Sequence, residues 1–350
     1  RGGGTSTRGG RDRRTTLRAC LLAGLLIVIG SGCDHPRAAE ARELRTECDA
    51  GDNEACFEYG LRLYRGEFVL EDREGAASRW AAACEGGEPR ACVRLARVRE
   101  MQEEEATLEL PTDLAAGLGG DMAGAAGAGR SGGASQDIEA LLRAGCEGGD
   151  MSGCVDLVDQ FSSGSEALDL LERACDGGDA DGCIRLGEVL SGIRTVAGPD
   201  PDSVAAEPAA ALDLERAAEL FASACDQDAA GCIRLADAYL AGAGVERAPD
   251  EAVSLLTTAC RSSPEGCFRL GELYLEGSMV ERDPARALSL LADGCYGRTA
   301  TEARGEGVAE ACNAHGEMLV EGDGVDRDLS VAIRSLSRAC RLGWEEACRR

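Results

Sequence analysis

Apolar residues recur along most of this chain at spacings of three and four positions, which is the period of an α-helix. In residues 251–284 they mark one face of a first helix and one face of a second, with a short polar turn between them: Ala252, Leu255, Leu256 and Ala259, then Phe268, Leu270, Leu273 and Tyr274. Two such helices joined by a short turn form an antiparallel hairpin. The pattern therefore predicts an all-α protein built from αα-hairpins.

The hairpin pattern repeats with a period of 35–36 residues, and one pair of cysteines marks each copy. The interval from Cys225 to Cys260 is 35 residues and that from Cys48 to Cys84 is 36. A fixed period of this length is the sequence signature of a solenoid, in which each unit packs only on its neighbours. Eight pairs mark eight repeats: Cys48/Cys56, Cys84/Cys92, Cys146/Cys154, Cys175/Cys183, Cys225/Cys232, Cys260/Cys267, Cys295/Cys312 and Cys340/Cys348.

The spacing within each pair predicts a disulfide that closes the hairpin turn. The first cysteine falls in the last turn of one helix and the second in the first turns of its antiparallel partner, so a turn of a few residues brings both within disulfide range. Pairing across repeats would need cysteines a whole period apart to be equally close. A structural zinc site favours cysteines two to four residues apart with a second ligand pair. Disulfides are thus favoured over both alternatives, and they imply an oxidising compartment.

The turns and joints carry signals of their own. Residues 242–245 and 322–325 join repeats through Gly-x-Gly-Val, whereas Met279 replaces the second glycine in 277–280. Asp283-Pro284 is typical of a helix N-cap followed by proline at the first helical position. A small residue stands four positions after the second cysteine in several repeats and predicts close helix packing: Ala96, Gly187, Ala236, Gly271 and Gly316.

The combined pattern A-x-x-L-x-x-A-C, a seven-residue turn, C-x-x-L-G-x-x-Y/L and G-x-G-V-x-x-D resembles the Sel-one-like repeat, and more narrowly its cysteine-rich bacterial branch. The resemblance covers about residues 39–102 and 137–350. It implies a right-handed superhelix of helix pairs, related to tetratricopeptide repeats, with one disulfide per hairpin. His315 departs from the pattern because it stands in the usual Leu position of its helix.

The N-terminus has the features of an export signal. A basic stretch precedes an apolar run over 19–29, which is too short to span a bilayer, and Gly30-Ser31-Gly32 lead to a cysteine. This segment resembles a bacterial lipobox with Gly30 in place of the usual Leu, so we expect residues 1–32 to be a signal peptide and Cys33 to be acylated. Cleavage after Gly32 without acylation is the alternative. Lipid attachment is favoured because Cys20 leaves with the leader and sixteen cysteines pair, so Cys33 would otherwise be an unpaired thiol.

Arg13-Arg14 also resembles a twin-arginine signal. A general secretion signal is favoured over it, because disulfides form after export.

Four segments are predicted: the leader, a tether with repeats one and two at 33–102, a flexible acidic and Gly/Ala-rich linker at 103–136, and repeats three to eight at 137–350. Insertions at 191–209 and 296–309 interrupt the later repeats.

The charge limits the choice of partner. The formal net charge is −26, and it becomes −31 once residues 1–32, with six Arg and one Asp, are removed. Such a surface repels phosphate backbones, so a nucleic-acid partner is not expected. A protein or peptide with basic patches is favoured, and the concave face of a solenoid is where an extended segment binds.

The sequence offers little for catalysis. Relatives in the cysteine-rich branch are described as penicillin-binding or as β-lactamases, but the chain contains no lysine for a Ser-x-x-Lys nucleophile and only two histidines for zinc. His35 lies in the tether, and His315 is expected to be a partly buried structural residue. We predict no catalytic, metal or cofactor residue, and a non-enzymatic interaction scaffold anchored in the periplasm or on the outer surface of a bacterial envelope. Weak β-lactam binding or hydrolysis is the alternative.

Overall fold

The computed structural model describes residues 36–108, 137–194, 212–298 and 307–349, which are α-helices and short turns without a β-strand in those ranges. The all-α repeat solenoid expected from the sequence is confirmed, with eight cysteine pairs at disulfide distance, about one per repeat. The predicted leader, Cys33 and His35 lie outside the described residues.

Contacts divide the chain into two units, residues 1–88 and 89–350. The first unit contains α1 (Pro36–Asp49), α2 (Asn53–Arg65) and α3 (Arg73–Glu85). Trp80 on α3 is 1% exposed, and its Nε1 donates a hydrogen bond to the Phe57 carbonyl at 3.1 Å. A Cβ on Gly60 would lie 2.4 Å from that Nε1. Glycine is therefore required where α3 packs on α2.

The second unit contains the remaining helices, and those from α6 to α16 pack on their sequence neighbours. They are α4 (Pro89–Leu108), α5 (137–148), α6 (Met151–Gln160), α7 (Gly164–Asp176), α8 (Ala180–Leu190), α9 (Leu214–Cys225), α10 (Ala229–Ala241), α11 (Pro249–Cys260), α12 (Pro264–Glu276), α13 (Pro284–Tyr296), α14 (Ala309–Glu321), α15 (Leu329–Arg341) and α16 (Glu345–Cys348). Odd-numbered helices are the first helices of the repeats and even-numbered helices are the second.

Disulfides close the hairpin turns, and each joins the two cysteines of one repeat. Their Cα–Cα distances run from 4.2 to 4.8 Å in the following bonds: Cys48–Cys56, Cys146–Cys154, Cys175–Cys183, Cys225–Cys232, Cys260–Cys267, Cys295–Cys312 and Cys340–Cys348. Cys84 and Cys92 are disulfide-bonded as well. The insertion that separates Cys295 from Cys312 by 17 residues does not widen its bond, which has a Cα–Cα distance of 4.4 Å.

The second cysteine of the pair is buried in repeats one to seven. These residues are 0 to 4% exposed: Cys56, Cys92, Cys154, Cys183, Cys232, Cys267 and Cys312. The Sγ atoms of Cys56, Cys267 and Cys312 also lie 3.4, 3.0 and 3.3 Å from the carbonyl oxygen of the cysteine to which each is bonded. The sequence predicted that these cysteines close the hairpin turns. In the structure they are also buried in the core between the paired helices.

Caps fix the helix ends beside the disulfides. The side chain of Asp228, the N-cap of α10, accepts a hydrogen bond from the backbone N–H of Ala230. Asp283 caps α13 with its side chain as well, and Pro284 stands in the first turn as predicted.

The joints that follow α10, α12 and α14 end these second helices on a left-handed glycine. Gly242, Gly277 and Gly322 have φ values of 71°, 66° and 72°. The second joint glycines, at 244 and 324, also have φ of 74°. Met279 does not adopt positive φ, since Phe68 is the single non-glycine residue with that conformation in the described ranges. The joint at 277–280 thus has a different backbone, as its missing glycine suggested.

The core follows the predicted helix faces. Leu256, Ala252 and Ala259 are buried on α11, with Leu255 half-buried beside them. A Cβ on Gly271 would lie 2.9 Å from Leu291 Cγ, which confirms close packing at the small position of this repeat. Gly187 and Gly316 are equally tight against the next first helix, at 2.6 and 2.7 Å.

The segments outside the repeat pattern are described only at their edges. Helix α4 runs to Leu108 and so includes the acidic start of the predicted linker, 103–108. The rest of that linker, 109–136, lies outside the described residues. So do 195–211 and 299–306, which cover most of the two later insertions.

Candidate functional site

The second helices of repeats two to six carry a row of charged side chains, which we call the charge ladder. Each member lies two or five positions after the second cysteine of its repeat, so the members occupy equivalent places on successive helices. The members are Arg97, Asp156, Asp159, Arg185, Glu188, Arg234, Asp237, Arg269 and Glu272.

Each step of the ladder is an ion pair between neighbouring repeats. Arg234 Nη2 lies 2.6 Å from Glu188 Oε1, and Arg269 Nη2 lies 2.7 Å from Asp237 Oδ1. Arg185 pairs with Asp159 in the same register. In the first step the acid and the base are exchanged. Arg97 stands five positions after its cysteine, where later repeats have an acid, and its Nε lies 2.7 Å from Asp156 Oδ2. These pairs connect the second helices from α4 to α12.

The ladder stops at repeat seven. Ala314 occupies the position that carries arginine in repeats four, five and six. Repeat seven therefore offers no arginine to Glu272 at this position. Glu272 instead accepts a hydrogen bond at 3.2 Å from Arg269 of its own helix. Helices α12 and α14 therefore present more acidic than basic side chains.

Burial and neighbouring charges shift the pKa values of side chains in the ladder and beside it. Burial lowers the pKa of Arg185, but hydrogen bonds to Asp181 and Asp159 outweigh it and raise the pKa overall. The pKa values of Glu265 and Glu272 are raised, first by burial and then by nearby carboxylates, while Arg269 opposes the shift. A cation placed beside these two carboxylates would be attracted by a partly desolvated negative charge.

A second polar group is buried between repeats seven and eight. His315 is 5% exposed, Ser335 is fully buried, and His315 Nδ1 lies 2.8 Å from Ser335 Oγ. The Tyr296 hydroxyl lies 3.0 Å from the same Oγ. Burial, and then the charge of Arg298, lower the pKa of His315. A serine beside a histidine is a pairing seen in nucleophilic catalysis, but this serine has no surface for a substrate to reach, so the group is structural.

The paired cysteines do not form a chemical site either. A redox-active or nucleophilic cysteine has to be accessible and partly ionised. Cys154 and Cys183 are bonded and buried, so neither meets this condition. Cys348 in the last repeat is exposed but is bonded to Cys340. The role of these residues is structural, as the sequence indicated for the pairs.

His315 is buried, as its sequence position predicts, whereas the ladder was not predicted. The carboxylates of the ladder lie at positions fixed by the repeat, as Asp237 and Glu272 do. A signal was present, because Arg185, Arg234 and Arg269 share one position relative to their cysteines.

The described residues also bear on metal sites and on membrane spans. No group of three or more His, Cys, Asp or Glu side chains in these ranges is arranged to hold a metal ion. None of the described helices combines the length and apolar character needed to cross a bilayer.

The Sel1 repeat family model matches residues 53–87, 138–179, 209–228, 229–263, 264–292 and 309–344, more than half of the chain. Several matched segments begin at a second helix, so the family's repeat is shifted by one helix relative to the cysteine-defined hairpin. No curated protein matches the sequence. The fold defines an αα-repeat solenoid, and the chain belongs to the Sel1 repeat family.

Two solved structures are similar to this chain. A Sel1 repeat protein from Oxalobacter formigenes has a TM-score of 0.51 at 16% identity, over 74% of this chain and 96% of that one. A protective antigen of uropathogenic Escherichia coli has a TM-score of 0.42 at 17% identity. That match covers 88% of this chain and 65% of the antigen, so the chain spans just under two thirds of the antigen's length.

Proposed function

We propose that this protein is a non-enzymatic scaffold, anchored to a bacterial envelope through Cys33, that binds a partner protein with basic side chains. Sel1 repeat proteins are generally protein-interaction scaffolds. The observation that carries the proposal is the end of the charge ladder. In repeat seven, Ala314 occupies the ladder position that carries an arginine in repeats four to six, so Glu272 and the nearby Glu265 have no arginine from the next repeat at that position. A partner's cation at this place would take the position that arginine fills in the preceding repeats.

The partner is expected to be an extended segment on the concave face of the repeats. Stacked hairpins offer equivalent positions at regular intervals, which suits a peptide rather than a compact ligand. The net charge of −26 adds long-range attraction for a basic partner and raises the association rate. Export to an oxidising compartment agrees with eight cysteine pairs at disulfide distance.

The missing lysines allow a sharp test. A carbodiimide joins carboxylates to lysine amines, and this chain contains no lysine, so its side chains do not cross-link to one another. Intact cells would be treated with the reagent and the mature protein purified for mass spectrometry. We expect partner lysines joined to carboxylates of the second helices, including Glu265 or Glu272.

Matched variants decide whether Glu265 and Glu272, at the end of the ladder, form the contact. Glu265→Gln with Glu272→Gln should abolish most partner capture, while Glu219→Gln with Glu251→Gln, on exposed first-helix positions, should leave it unchanged. Equal capture by both variants would refute the proposed surface. Cross-links confined to first helices would refute it as well.

The enzymatic alternative has a separate measurement. The oxidised protein should not turn over a chromogenic β-lactam, because the Ser335–His315 pair is enclosed. Turnover well above a reduced control would overturn the non-enzymatic assignment.

A further inference from the structure

The joint between repeats one and two differs from its counterparts at two positions. The third residue of the joint is Phe68, where the other joints have Gly244, Met279 and Gly324. The fifth residue is Leu70, where they have Glu246, Glu281 and Asp326. Phe68 thus stands where the other joints have glycine or a half-buried Met, and Leu70 stands where they have an exposed acid. We call Phe68 and Leu70 the apolar tip.

Both residues of the tip project into solvent. Phe68 is 44% exposed and Leu70 is 90% exposed. Phe68 also has φ of 62°, the left-handed conformation in which a side chain is strained and which glycine adopts in two of the other joints. Strained backbone of this kind persists mainly at functional positions. The protein thus displays an aromatic ring at a place where glycine would fit without strain.

The two acids that flank the tip, Glu67 and Glu71, are each paired with arginine. Glu67 lies 3.5 Å from Arg65 Nη1 and 3.6 Å from Arg62 Nη1. Glu71 lies 3.0 Å from Arg73 Nε. The carboxylates that flank the apolar residues are therefore paired with guanidinium groups, and the tip does not share the strong negative charge of the whole chain. An anionic surface would not be repelled locally.

The tip also lies close to the start of the mature chain. The guanidinium carbon of Arg37 lies 5.9 Å from the centre of the Phe68 ring. Arg37 is in the first turn of α1 and is the fourth residue after Cys33. Three Cα–Cα steps separate Cys33 from Pro36 and span at most about 10 Å. A lipid on Cys33 would therefore hold a bilayer within reach of the tip.

We propose that Phe68 and Leu70 insert into the interface of a phospholipid bilayer as a second membrane contact, with Arg37 beside the headgroup phosphates. The proposal rests on acylation of Cys33 in the envelope-anchored function. Apolar side chains and a cation are the combination that binds membrane interfaces. The contact sets the orientation of the first repeat relative to the membrane, which a flexible lipid tether alone does not fix.

The first experiment measures the tip without the lipid. The oxidised chain of residues 33–350 carrying Cys33→Ser is mixed with vesicles of phosphatidylethanolamine and phosphatidylglycerol, and the bound fraction is separated by flotation. Adding Phe68→Gly and Leu70→Glu, the residues of the 242–248 joint, should lower the partition coefficient about tenfold or more. Phe68→Gly suits the left-handed backbone, and a thermal melt verifies that the variant is folded.

Met279→Gly, a similar change at another joint, is the control and should leave binding unchanged. Equal partition of the tip variant and its parent would overturn the proposal, and so would undetectable vesicle binding by the parent.

A second experiment uses the lipidated protein in vesicles that contain brominated lipids. Phe68→Trp should show bromine quenching above the background of Trp80 and Trp344, and Met279→Trp should show none. Mass spectrometry of the N-terminal peptide reports acylation of Cys33 separately. If the protein is acylated and Phe68→Trp is not quenched, insertion of the tip is refuted and the anchor is not. If vesicle binding depends on the tip but Cys33 is not acylated in cells, the Cys33 anchor is refuted and insertion of the tip is not.

Discussion

At the scale of single residues, three polar side chains meet in an otherwise apolar interface between repeats seven and eight. His315 occupies the slot that the sequence pattern assigns to Leu, and Ser335 replaces the Leu found five positions before the first cysteine in repeats four to seven. Each departure alone would leave a buried polar group unsatisfied. Together with Tyr296 they satisfy one another, so the substitutions are explained as a set.

The buried histidine gives stability a defined pH dependence. Burial and Arg298 lower the pKa of folded His315 from 6.5. The unfolded chain therefore binds the proton more readily, and the stabilisation is fully present above pH 6.5 and lost as the pH falls towards the folded pKa. We expect the unfolding free energy from denaturant titrations to decrease over this range in the wild type, and to decrease less in His315→Leu. Parallel pH profiles of the two proteins would contradict a buried neutral histidine.

At the scale of the hairpin, a disulfide contributes mainly by restricting the unfolded turn. The Cys225–Cys232 disulfide has a sequence separation of 7. Its replacement by Cys225→Ala with Cys232→Ala should lower the unfolding free energy by about 2–3 kcal/mol in the chain-entropy treatment. Urea titration followed by circular dichroism measures the loss. Glu219→Ala on the same first helix is the control and should stay within about 0.5 kcal/mol of wild type; a similar small effect of the double variant would mean that the turn is already fixed by its caps.

The charge ladder gives a second prediction for the hairpin. Ala314→Arg should place a guanidinium beside Glu272, whose side chain is 35% exposed, and raise the unfolding free energy by about 0.5–1 kcal/mol. Ala314→Met has a long side chain without charge and should not reproduce the gain, which should shrink at high salt. The Ala314→Arg protein should also lose carbodiimide capture at Glu272. Unchanged capture at Glu272 would show that the partner does not bind at the end of the ladder.

The hairpins were predictable because local signals agree. Helical periodicity, Gly/Asp turns and cysteine spacing all indicate the same boundaries, as at Asp283-Pro284. The cross-repeat pairs were harder to predict, because Arg234 meets Glu188 only after two hairpins stack, and the distance between them in sequence is 46 residues. The exposed tip was missed for a related reason. Phe68 follows a helical segment and is apolar, and periodicity alone does not distinguish an exposed ring from a core residue.

At the scale of the whole molecule, stability is distributed along the repeats. Helix α11 contacts α10 and α12, and Leu256 on α11 belongs to a core cluster that includes Phe268 and Leu291 of the following helices. Buried residues of repeats three and four form separate clusters, such as the one around Leu157. A solenoid of this kind unfolds locally, because each repeat is coupled mainly to its neighbours.

Leu256→Ala tests this coupling, since Leu256 is 1% exposed. The cavity should cost about 2–5 kcal/mol. Hydrogen exchange followed by mass spectrometry should show faster exchange in α10 to α13 and unchanged exchange in α1 to α3, because the core cluster that contains Leu256 runs from repeat five to repeat eight. Ile333→Ala, at a position 64% exposed, is the control and should leave both regions protected. Equal loss of protection in α1 to α3 would show that the chain unfolds as one cooperative body, and a local defect at the ladder would then destabilise the first repeat as well.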